Sequence, residues 1–275
     1  MTETFAQTVV VKVRGRERSV VSDAVAAEVP LELRVEGKPF AVIMRTPGDD
    51  RALAAGFLLS ERIIRHQDDV ALIEHCTDPD VAHDDERRNI VSVTLEPEAA
   101  VRAAALLAGR RDVMSTSACG VCGRATLASM QLGLSRIDGH ARMSSSVLAE
   151  LPTRLRDRQP LFASTGGLHA AGIFDLVGEP LVVAEDVGRH NAVDKVIGAC
   201  LLRDQLPLAS SVLCVSGRTS FEIVQKAWCA GIPIVASVSA PSSLAVSLAA
   251  EAGITLVGFV RDDGLNIYSG ASRNG

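Results

Sequence analysis

The chain contains 275 residues, of which 47% are apolar, 22% charged and 3% aromatic, and its formal net charge is −5. This length suits one large or two modest domains, and the apolar fraction excludes an intrinsically disordered chain. The negative charge argues against general nucleic-acid binding. The most apolar stretch, residues 243–260, contains Glu251 and the helix-ending Gly253, which excludes a membrane span. No basic leader with an apolar centre opens the sequence, so we expect a cytoplasmic protein.

The N-terminal third combines short strands with helices. Strands are predicted at 9–14, at 70–76, at 89–95 and, as a hairpin turning at Glu36-Gly37, within 31–45. Helices are predicted to start at Thr46-Pro47 and after Pro97. The charged segment HDDERR (residues 83–88) predicts a solvated loop. These elements together predict a small α+β roll for residues 1–108.

The C-terminal half has a different rhythm, in which apolar strands are each followed by a helix. Strands are predicted at 171–176, 181–185, 212–215, 232–238 and 254–260, and helices at 189–203, 220–230 and 242–252. Strands without polar alternation, each followed by a helix, are typical of a largely parallel sheet covered on both faces. We therefore predict an α/β domain for residues 124–275.

A glycine- and serine-rich segment at 109–123 joins these two parts and contains the motif SACGVCG. Long segments without periodicity inside a compact protein tend to be functional or mobile, so we predict a mobile loop. If the helix predicted at 124–134 begins near Cys119, the helix dipole lowers the pKa of that thiol. Cys119 is then the outer nucleophile, and Cys122 is its partner one turn further in.

Two other uses of the paired cysteines are less well supported. A tetrahedral zinc site needs two further ligands, and the sequence contains no second C-x-x-C and no H-x3-H, so no structural metal is expected. A thioredoxin-like site should follow a βαβ pattern, whereas a serine-rich loop precedes Cys119. The other four cysteines stand alone in apolar surroundings and are predicted to be core residues: Cys76, Cys200, Cys214 and Cys229.

Polar turns recur where a predicted strand passes into a helix. The turn Ser216–Ser220 follows one strand, with 185–191 one unit earlier and 239–243 one unit later. In a parallel sheet these turns meet at the carboxyl edge, where ligands bind. Helix-start N–H groups, hydroxyls and Arg218 would suit a phosphate, although none of these turns is a Walker A loop.

Two histidines lie next to glycine-bearing turns. In STGGLHA, Gly166 and Gly167 allow close backbone approach and His169 ends the turn. A second histidine, His190, shares one polar face of a predicted helix with three further residues: Asn191, Asp194 and Lys195. Such a face is either solvated or a buried charge network that lines a pocket, and we favour the pocket.

The last predicted strand leaves through an Asp-Asp-Gly turn in FVRDDGLNIY (residues 259–268), which a simple hairpin explains. Backbone groups and a carboxylate in this turn could instead read the Watson–Crick edge of a purine, with Phe259 available for stacking.

Several blocks of this sequence, in order, resemble the formate dehydrogenase accessory sulfurtransferase family, FdhD. The blocks are SACGVCG, STGGLHAAGIF, EDVGRHNAVDKVIGA, SGRTSFEIVQKA, APSSLAV and LVGFVR, together with the N-terminal PLELRVEGKPFAVIMRTPGDDRALAAGFLLSE. The resemblance covers nearly the whole chain and implies a C-terminal cytidine-deaminase-like layered domain and a homodimer. Deaminase activity is not implied, because the sequence contains no H-x-E and Ala118 precedes Cys119.

The resemblance also implies an activity. A cysteine desulfurase donates sulfur to Cys119 as a persulfide, Cys122 assists, and the sulfur passes to the molybdenum of bis(molybdopterin guanine dinucleotide). This cofactor then serves the catalytic subunit of formate dehydrogenase. The resemblance identifies Phe259–Gly264 as the family's cofactor-binding stretch. With the turns above, the candidate cofactor-binding residues are Gly166, Gly167, His169, His190, Ser216, Gly217, Arg218, Thr219, Ser220, Phe259, Val260, Arg261, Asp262, Asp263 and Gly264.

Two alternatives belong to other functional classes. A non-catalytic chaperone would hold the molybdenum cofactor without using Cys119. A dithiol oxidoreductase would form a reversible Cys119–Cys122 disulfide and ignore a cysteine desulfurase.

Overall fold

A computed structural model describes residues 3–77, 84–108, 133–138, 141–261 and 264–271 of the chain. Within these ranges the strands form sheets of two, four and six strands. One apolar core includes residues from both larger sheets. The mixed α/β architecture is confirmed, whereas the boundaries at 108, 123 and 124 and the cytidine-deaminase-like layering stay predictions.

The chain begins with a long antiparallel hairpin of β1 (Phe5–Arg14) and β2 (Glu17–Ala26). The sequence pattern predicts only the first of these strands. The two strands form a separate sheet, and their residues are mostly exposed.

The four-stranded sheet has the order β4-β3-β6-β5. Its strands are β3 (Val29–Val35), β4 (Lys38–Arg45), β5 (Val70–His75) and β6 (Ile90–Leu95). The predicted hairpin is confirmed, and its turn residues Glu36 and Gly37 have φ angles of 51° and 71°, as the twist of a two-residue hairpin loop requires.

The helices of this part are α1 (Asp50–Ser60), α2 (Asp84–Arg88) and α3 (Pro97–Ala108), with a 3-10 turn at Gln67–Asp69. Helix α3 is confirmed. The prediction of a solvated loop at 83–88 is wrong for 84–88, because these residues form helix α2. Within α2, Arg87 pairs with Asp84 one turn away. Helix α1 begins at Asp50 rather than at Thr46-Pro47, and Arg45 binds the Asp50 carboxylate through two N–H groups at 2.8 and 2.9 Å.

The six-stranded sheet has the order β12-β11-β10-β9-β7-β8. Its strands are β7 (His169–Asp175), β8 (Pro180–Asp186), β9 (Ser211–Val215), β10 (Ile234–Ser237), β11 (Thr255–Arg261) and β12 (Gly264–Ser269). The prediction of a mostly parallel sheet is wrong, because only β9, β10 and β11 pair in parallel. The other three pairings, β7–β8, β7–β9 and β11–β12, are antiparallel. In β7–β8 and β11–β12 the two strands follow each other closely in the chain, which allows only antiparallel pairing.

Helices cover both faces of this sheet. The chain adds α4 (Ser145–Arg156), α5 (Pro160–Thr165), α6 (Arg189–Leu201), α7 (Phe221–Cys229) and α8 (Ser243–Ala252). Leu213 and Val215 of β9 face the core that contains α6, α7 and α8, whereas Val212 and Cys214 face α4. The near-continuous apolar strands therefore reflect burial on both faces.

Helices α4 and α5 were not predicted, although the residues of α4 are typical of a helix. Ser144 is its N-cap and accepts a hydrogen bond from the Val147 N–H at 3.3 Å. Leu148, Leu151 and Leu155 follow at helical spacing and are buried. At the end of the helix predicted at 124–134, residues 133 and 134 are not helical, and 124–132 lie outside the described residues. Within the described ranges, no helix is long and apolar enough to span a bilayer.

The two larger sheets are joined by a very close contact between α1 and α6. A Cβ atom on Gly56 would lie 2.0 Å from the Asp194 carbonyl oxygen, and one on Gly198 would lie 1.9 Å from the Ala52 carbonyl oxygen. Both distances are far below van der Waals contact, so only glycine allows the two helix backbones to approach this closely.

We expect Gly56→Ala and Gly198→Ala each to lower the free energy of unfolding by about 3 kcal/mol, because the added methyl group meets rigid backbone. Urea denaturation followed by circular dichroism measures this. Gly264→Ala is the matched control, since a Cβ there meets no atom within 4 Å, and its expected change is below about 0.5 kcal/mol. Equal effects for all three variants would contradict the importance of the close helix contact.

Candidate functional site

The predicted polar turns lie on one edge of the six-stranded sheet. Strands β8, β9, β10 and β11 all run in the same direction, and β7 runs in the opposite direction. The ends of those four strands and the start of β7 therefore share this edge, which we call the carboxyl edge. It brings together His169, the turns at 185–191, 216–220 and 239–243, and the end of β11.

Direct contacts join the turns along the carboxyl edge. The Ser216 hydroxyl accepts a hydrogen bond from the Ala170 N–H at 2.9 Å, and Gly217 lies against the imidazole of His169. On the other side the Ser242 N–H donates to the Thr219 carbonyl at 2.9 Å. The Phe259 N–H donates to the Ser239 carbonyl at 3.2 Å, so the segments form one continuous polar surface.

A buried histidine–glutamate pair lies at the first turns of α6 and α7. His190 Nε2 is 2.9 Å from the Glu222 carboxylate and 3.0 Å from the Ser220 hydroxyl. The side chains of His190 and Glu222 are both only 9% exposed. Sequence reasoning found His190 and Ser220 but missed Glu222, because an acidic residue in the first turn of a helix is usually explained by the helix dipole.

A second ion pair lies one helical turn further inside. Asp194 and Lys226 follow His190 and Glu222 by four residues each, and their closest atoms are 2.7 Å apart. The Ser60 hydroxyl of α1 contributes a hydrogen bond to Asp194 at 3.0 Å. Burial raises the pKa of Asp194, and the Lys226 ammonium opposes that shift.

The other side of α6 ties the sheet to the loop before α1. Lys195 lies 2.8 Å from the Asp186 carboxylate and donates to the Thr46 carbonyl at 2.9 Å. Asn191 donates to Asp186 at 2.9 Å and to the Met44 carbonyl at 2.8 Å. The predicted polar face of α6 is therefore buried, and three of its four members contact protein groups that join the two halves.

Unpartnered buried polar atoms concentrate at the carboxyl edge. Among the described residues, five buried side-chain polar atoms have no hydrogen-bond partner, and three of them are Arg189 Nε, Thr219 Oγ1 and Glu222 Oε1. Such atoms are costly to bury, and each requires an explanation. All three atoms belong to residues at the starts of α6 and α7.

The imidazole of His169 lies in the same surroundings. Burial lowers its pKa, and the nearby positive charge of Arg189 lowers it further. Both effects favour the neutral imidazole, whose two ring nitrogens can donate and accept hydrogen bonds.

The remaining predicted residues are distributed around this edge. Phe259 is 40% exposed and has a φ angle of 52°, an uncommon conformation for a bulky residue. Val260 is buried, whereas Arg261, Gly264 and Arg218 are exposed. Gly166 and Gly167 are exposed in the turn after α5. Four candidates lie outside the described residues: Cys119, Cys122, Asp262 and Asp263.

The four isolated cysteines are divided between two environments. Cys200 and Cys214 are buried, and burial raises the pKa of Cys214 to about 12, so its thiol is inert. Cys229 is half-buried and packs against the main core, whereas Cys76 is half-buried and belongs to neither core cluster, so the core prediction is wrong for Cys76. Within the described ranges, no three His, Cys, Asp or Glu side chains come together as a metal site.

We expect Lys226→Met to lower the free energy of unfolding at pH 7 by about 3–5 kcal/mol, because it leaves the buried Asp194 carboxylate without its cation. Loss of Lys226 raises the pKa of Asp194 further above its unfolded value. Because the protonated acid is tolerated in the interior, the deficit relative to the parent protein should grow as pH rises above about 4. Urea denaturation between pH 4 and 8 measures the trend.

The double variant Asp194→Asn/Lys226→Met is the control, since it removes the titrating carboxylate together with its partner. Its stability relative to the parent protein should not fall across the same pH range in the way that of Lys226→Met does. The same pH trend in both variants would contradict the assignment to Asp194.

Comparisons with known proteins bear on the whole chain. Residues 26–274 match the model of the FdhD/NarQ family. A protein named sulfur carrier protein FdhD from Streptomyces coelicolor is 49% identical over 267 residues, covering 96% of this chain and 93% of that protein. Proteins of the same name from Mycobacterium tuberculosis and Anaeromyxobacter dehalogenans are 48% and 45% identical, covering 91% and 94% of this chain and 91% of each relative.

A solved structure shares the fold. It is that of a protein from Desulfotalea psychrophila described as a formate dehydrogenase accessory protein, and it aligns with a TM-score of 0.77 at 24% identity. The alignment covers 99% of this chain and 100% of that structure. The match of the family model and the close relatives agree with the motif blocks, and this chain belongs to the FdhD/NarQ family.

Proposed function

We propose that this protein is a sulfurtransferase that carries persulfide sulfur from a cysteine desulfurase to the molybdenum of bis(molybdopterin guanine dinucleotide), for use by formate dehydrogenase. Membership of the FdhD/NarQ family and relatives named as sulfur carrier proteins support a sulfur-carrying role. The C-x-x-C pair supplies the chemistry, since a cysteine thiolate is the side chain that takes up sulfane sulfur.

The proposed first step is a thiolate–persulfide exchange. The Cys119 thiolate attacks the terminal sulfur of the desulfurase persulfide and forms a new S–S bond. The S–S bond of the donor breaks, and the donor cysteine leaves as a thiolate, so no external oxidant or reductant is needed. Cys122, three residues away in the sequence, assists this carrier.

The carboxyl edge is the proposed site for the nucleotide part of the substrate. The observation that supports this assignment best is the coincidence of three unpartnered buried atoms with the starts of α6 and α7. Helix-start N–H groups suit phosphate oxygens, and Arg218 is exposed beside them. A purine ring carries both donors and acceptors, so it could pair with the Glu222 carboxylate and the Thr219 hydroxyl.

The proposal includes partners and a location. The sulfur donor is a cysteine desulfurase, the client is the catalytic subunit of formate dehydrogenase, and the protein acts in the cytoplasm as a homodimer. It binds neither nucleic acid nor membranes, and molybdenum enters only as part of the substrate.

The first prediction from this proposal is that Cys119 gains one sulfur atom when the reduced protein is incubated with a cysteine desulfurase and cysteine. Mass spectrometry of the digested protein locates the added sulfur. In Cys119→Ala the addition at this position is lost, and activation of formate dehydrogenase falls to background. Cys76→Ser is the matched control, because Cys76 is a half-buried cysteine directly after β5 and its replacement should not affect sulfur uptake.

Sulfur on neither Cys119 nor Cys122 would overturn the proposal. Full client activation by Cys119→Ala would favour the cofactor chaperone instead. A Cys119–Cys122 disulfide with a defined potential and no response to the desulfurase would favour the dithiol oxidoreductase.

The second prediction is that GDP binds the carboxyl edge and raises the melting temperature. At a GDP concentration about 100 times its Kd the expected stabilisation is about 2.7 kcal/mol. Arg218→Ala should weaken GDP binding, because it removes an exposed cation beside the starts of α6 and α7. Arg142→Ala is the matched control, because it removes an exposed arginine elsewhere and should leave GDP binding unchanged. Thermal shift measures the stabilisation by GDP, and isothermal titration calorimetry measures its affinity for each variant. Equal GDP affinities in the two variants would argue against this site.

A further inference from the structure

The β1–β2 hairpin presents an exposed apolar face. In the observed register Val9 pairs with Ser22, Val11 with Val20 and Val13 with Arg18, so Val9, Val11, Val13 and Val20 project from the same face. Their exposed fractions are 74%, 60%, 56% and 71%. Clusters of exposed apolar side chains of this kind usually mark an interaction surface.

The hairpin receives little support from the rest of the described structure. It forms its own two-stranded sheet, so both strands are edge strands in the described part of the chain. At its base, a Cβ atom on Gly167 would lie 3.4 Å from the Ala26 side chain, and the Ala27 N–H donates to the Thr4 carbonyl. An isolated two-stranded ribbon is marginally stable in water, which favours a partner that covers it.

Charge is distributed unevenly along the hairpin. The tip, residues 11–20, contains four basic residues and one acidic residue: Lys12, Arg14, Arg16, Arg18 and Glu17. The base, residues 3–10 and 21–28, contains three acidic residues and no basic one: Glu3, Asp23 and Glu28. All of these side chains are exposed. The tip therefore carries three net positive charges and the base three net negative charges.

We propose that this hairpin is a self-association arm, which packs its apolar face against the same face of a second copy in antiparallel orientation. A two-fold axis between the arms places each basic tip on the acidic base of the partner, so that both ends are electrostatically paired. A purely acidic partner would engage the tip and be repelled by the base. The same base repels nucleic acid and anionic membranes, so a second copy fits the whole arm best.

The proposal goes beyond the homodimer implied by the family resemblance, because it assigns the surface and its orientation. Each strand of the arm has ten residues, which correspond to a length of about 33 Å. Full antiparallel overlap brings the partner's tip to the base of the arm, where Gly167 meets the Ala26 side chain. On the proposed function, the partner thus places arginine residues beside the carboxyl edge that takes the nucleotide.

The first test replaces two valines of the apolar face without changing net charge. In Val9→Glu/Val20→Lys the new charges lie diagonally across the strands, so the hairpin itself is preserved. The dissociation constant of the dimer should rise by about 100-fold in sedimentation equilibrium. The matched control, Thr8→Lys/Ser19→Glu, lies on the opposite face, where Thr8 pairs with Asp23 and Ser19 with Lys12, and should change the constant by less than about 3-fold.

The second test reverses charge at one end of the arm. Arg16→Glu/Arg18→Glu makes the tip acidic like the base, and Glu3→Lys/Glu28→Lys makes the base basic like the tip. Each variant alone should therefore dissociate. An equimolar mixture should form a heterodimer, because each tip then meets a base of opposite charge. Mass spectrometry of the intact complexes distinguishes heterodimer from homodimer.

Three results would overturn the proposal. They are a monomeric parent protein at about 100 µM, an undiminished dimer in Val9→Glu/Val20→Lys, or a mixture that gives no heterodimer. Sulfur uptake on Cys119, measured on the same samples, separates this outcome from failure of the proposed function, because the arm variants leave the C-x-x-C motif unchanged.

Discussion

The close approach of helices α1 and α6 is the constraint on which the rest of the structure depends. Gly56 and Gly198 remove the side chains that would otherwise separate the two backbones. At that separation Ser60 reaches Asp194, and Lys195 reaches the carbonyl of Thr46. The four-stranded sheet is thereby fixed against the six-stranded sheet through one shared core, rather than attached by a flexible linker.

Two ion pairs between α6 and α7 determine the character of the candidate site. Between α6 and α7, Asp194–Lys226 forms the inner ion pair, and His190–Glu222 forms the outer one, next to the carboxyl edge. Buried ion pairs are costly to desolvate, so they act more as a means of fixing geometry than as a source of net stability. In the inner pair both carboxylate oxygens of Asp194 accept hydrogen bonds from protein groups. In the outer pair one carboxylate oxygen of Glu222 has no hydrogen-bond partner.

Much of the fold was readable from residue pattern alone. The hairpin at Glu36-Gly37 and the helices after Pro97 and at 189–201 follow from local periodicity and turn chemistry, which act over a few residues. Strand direction did not follow from the pattern, because an apolar strand buried on both faces has the same sequence whether its neighbour is parallel or antiparallel. Helix α4 was missed although Ser144 and its leucines signal it.

The sequence by itself determined the family and the chemically distinctive motifs, among them the C-x-x-C pair and the turn at 216–220, because these depend on residue type and short spacing. Tertiary structure alone decided that the polar face of α6 is buried, that Glu222 joins His190, and that the turns meet on one edge. Those facts depend on contacts between residues far apart in the chain, and helical periodicity does not distinguish a solvated polar face from one buried against opposite charges.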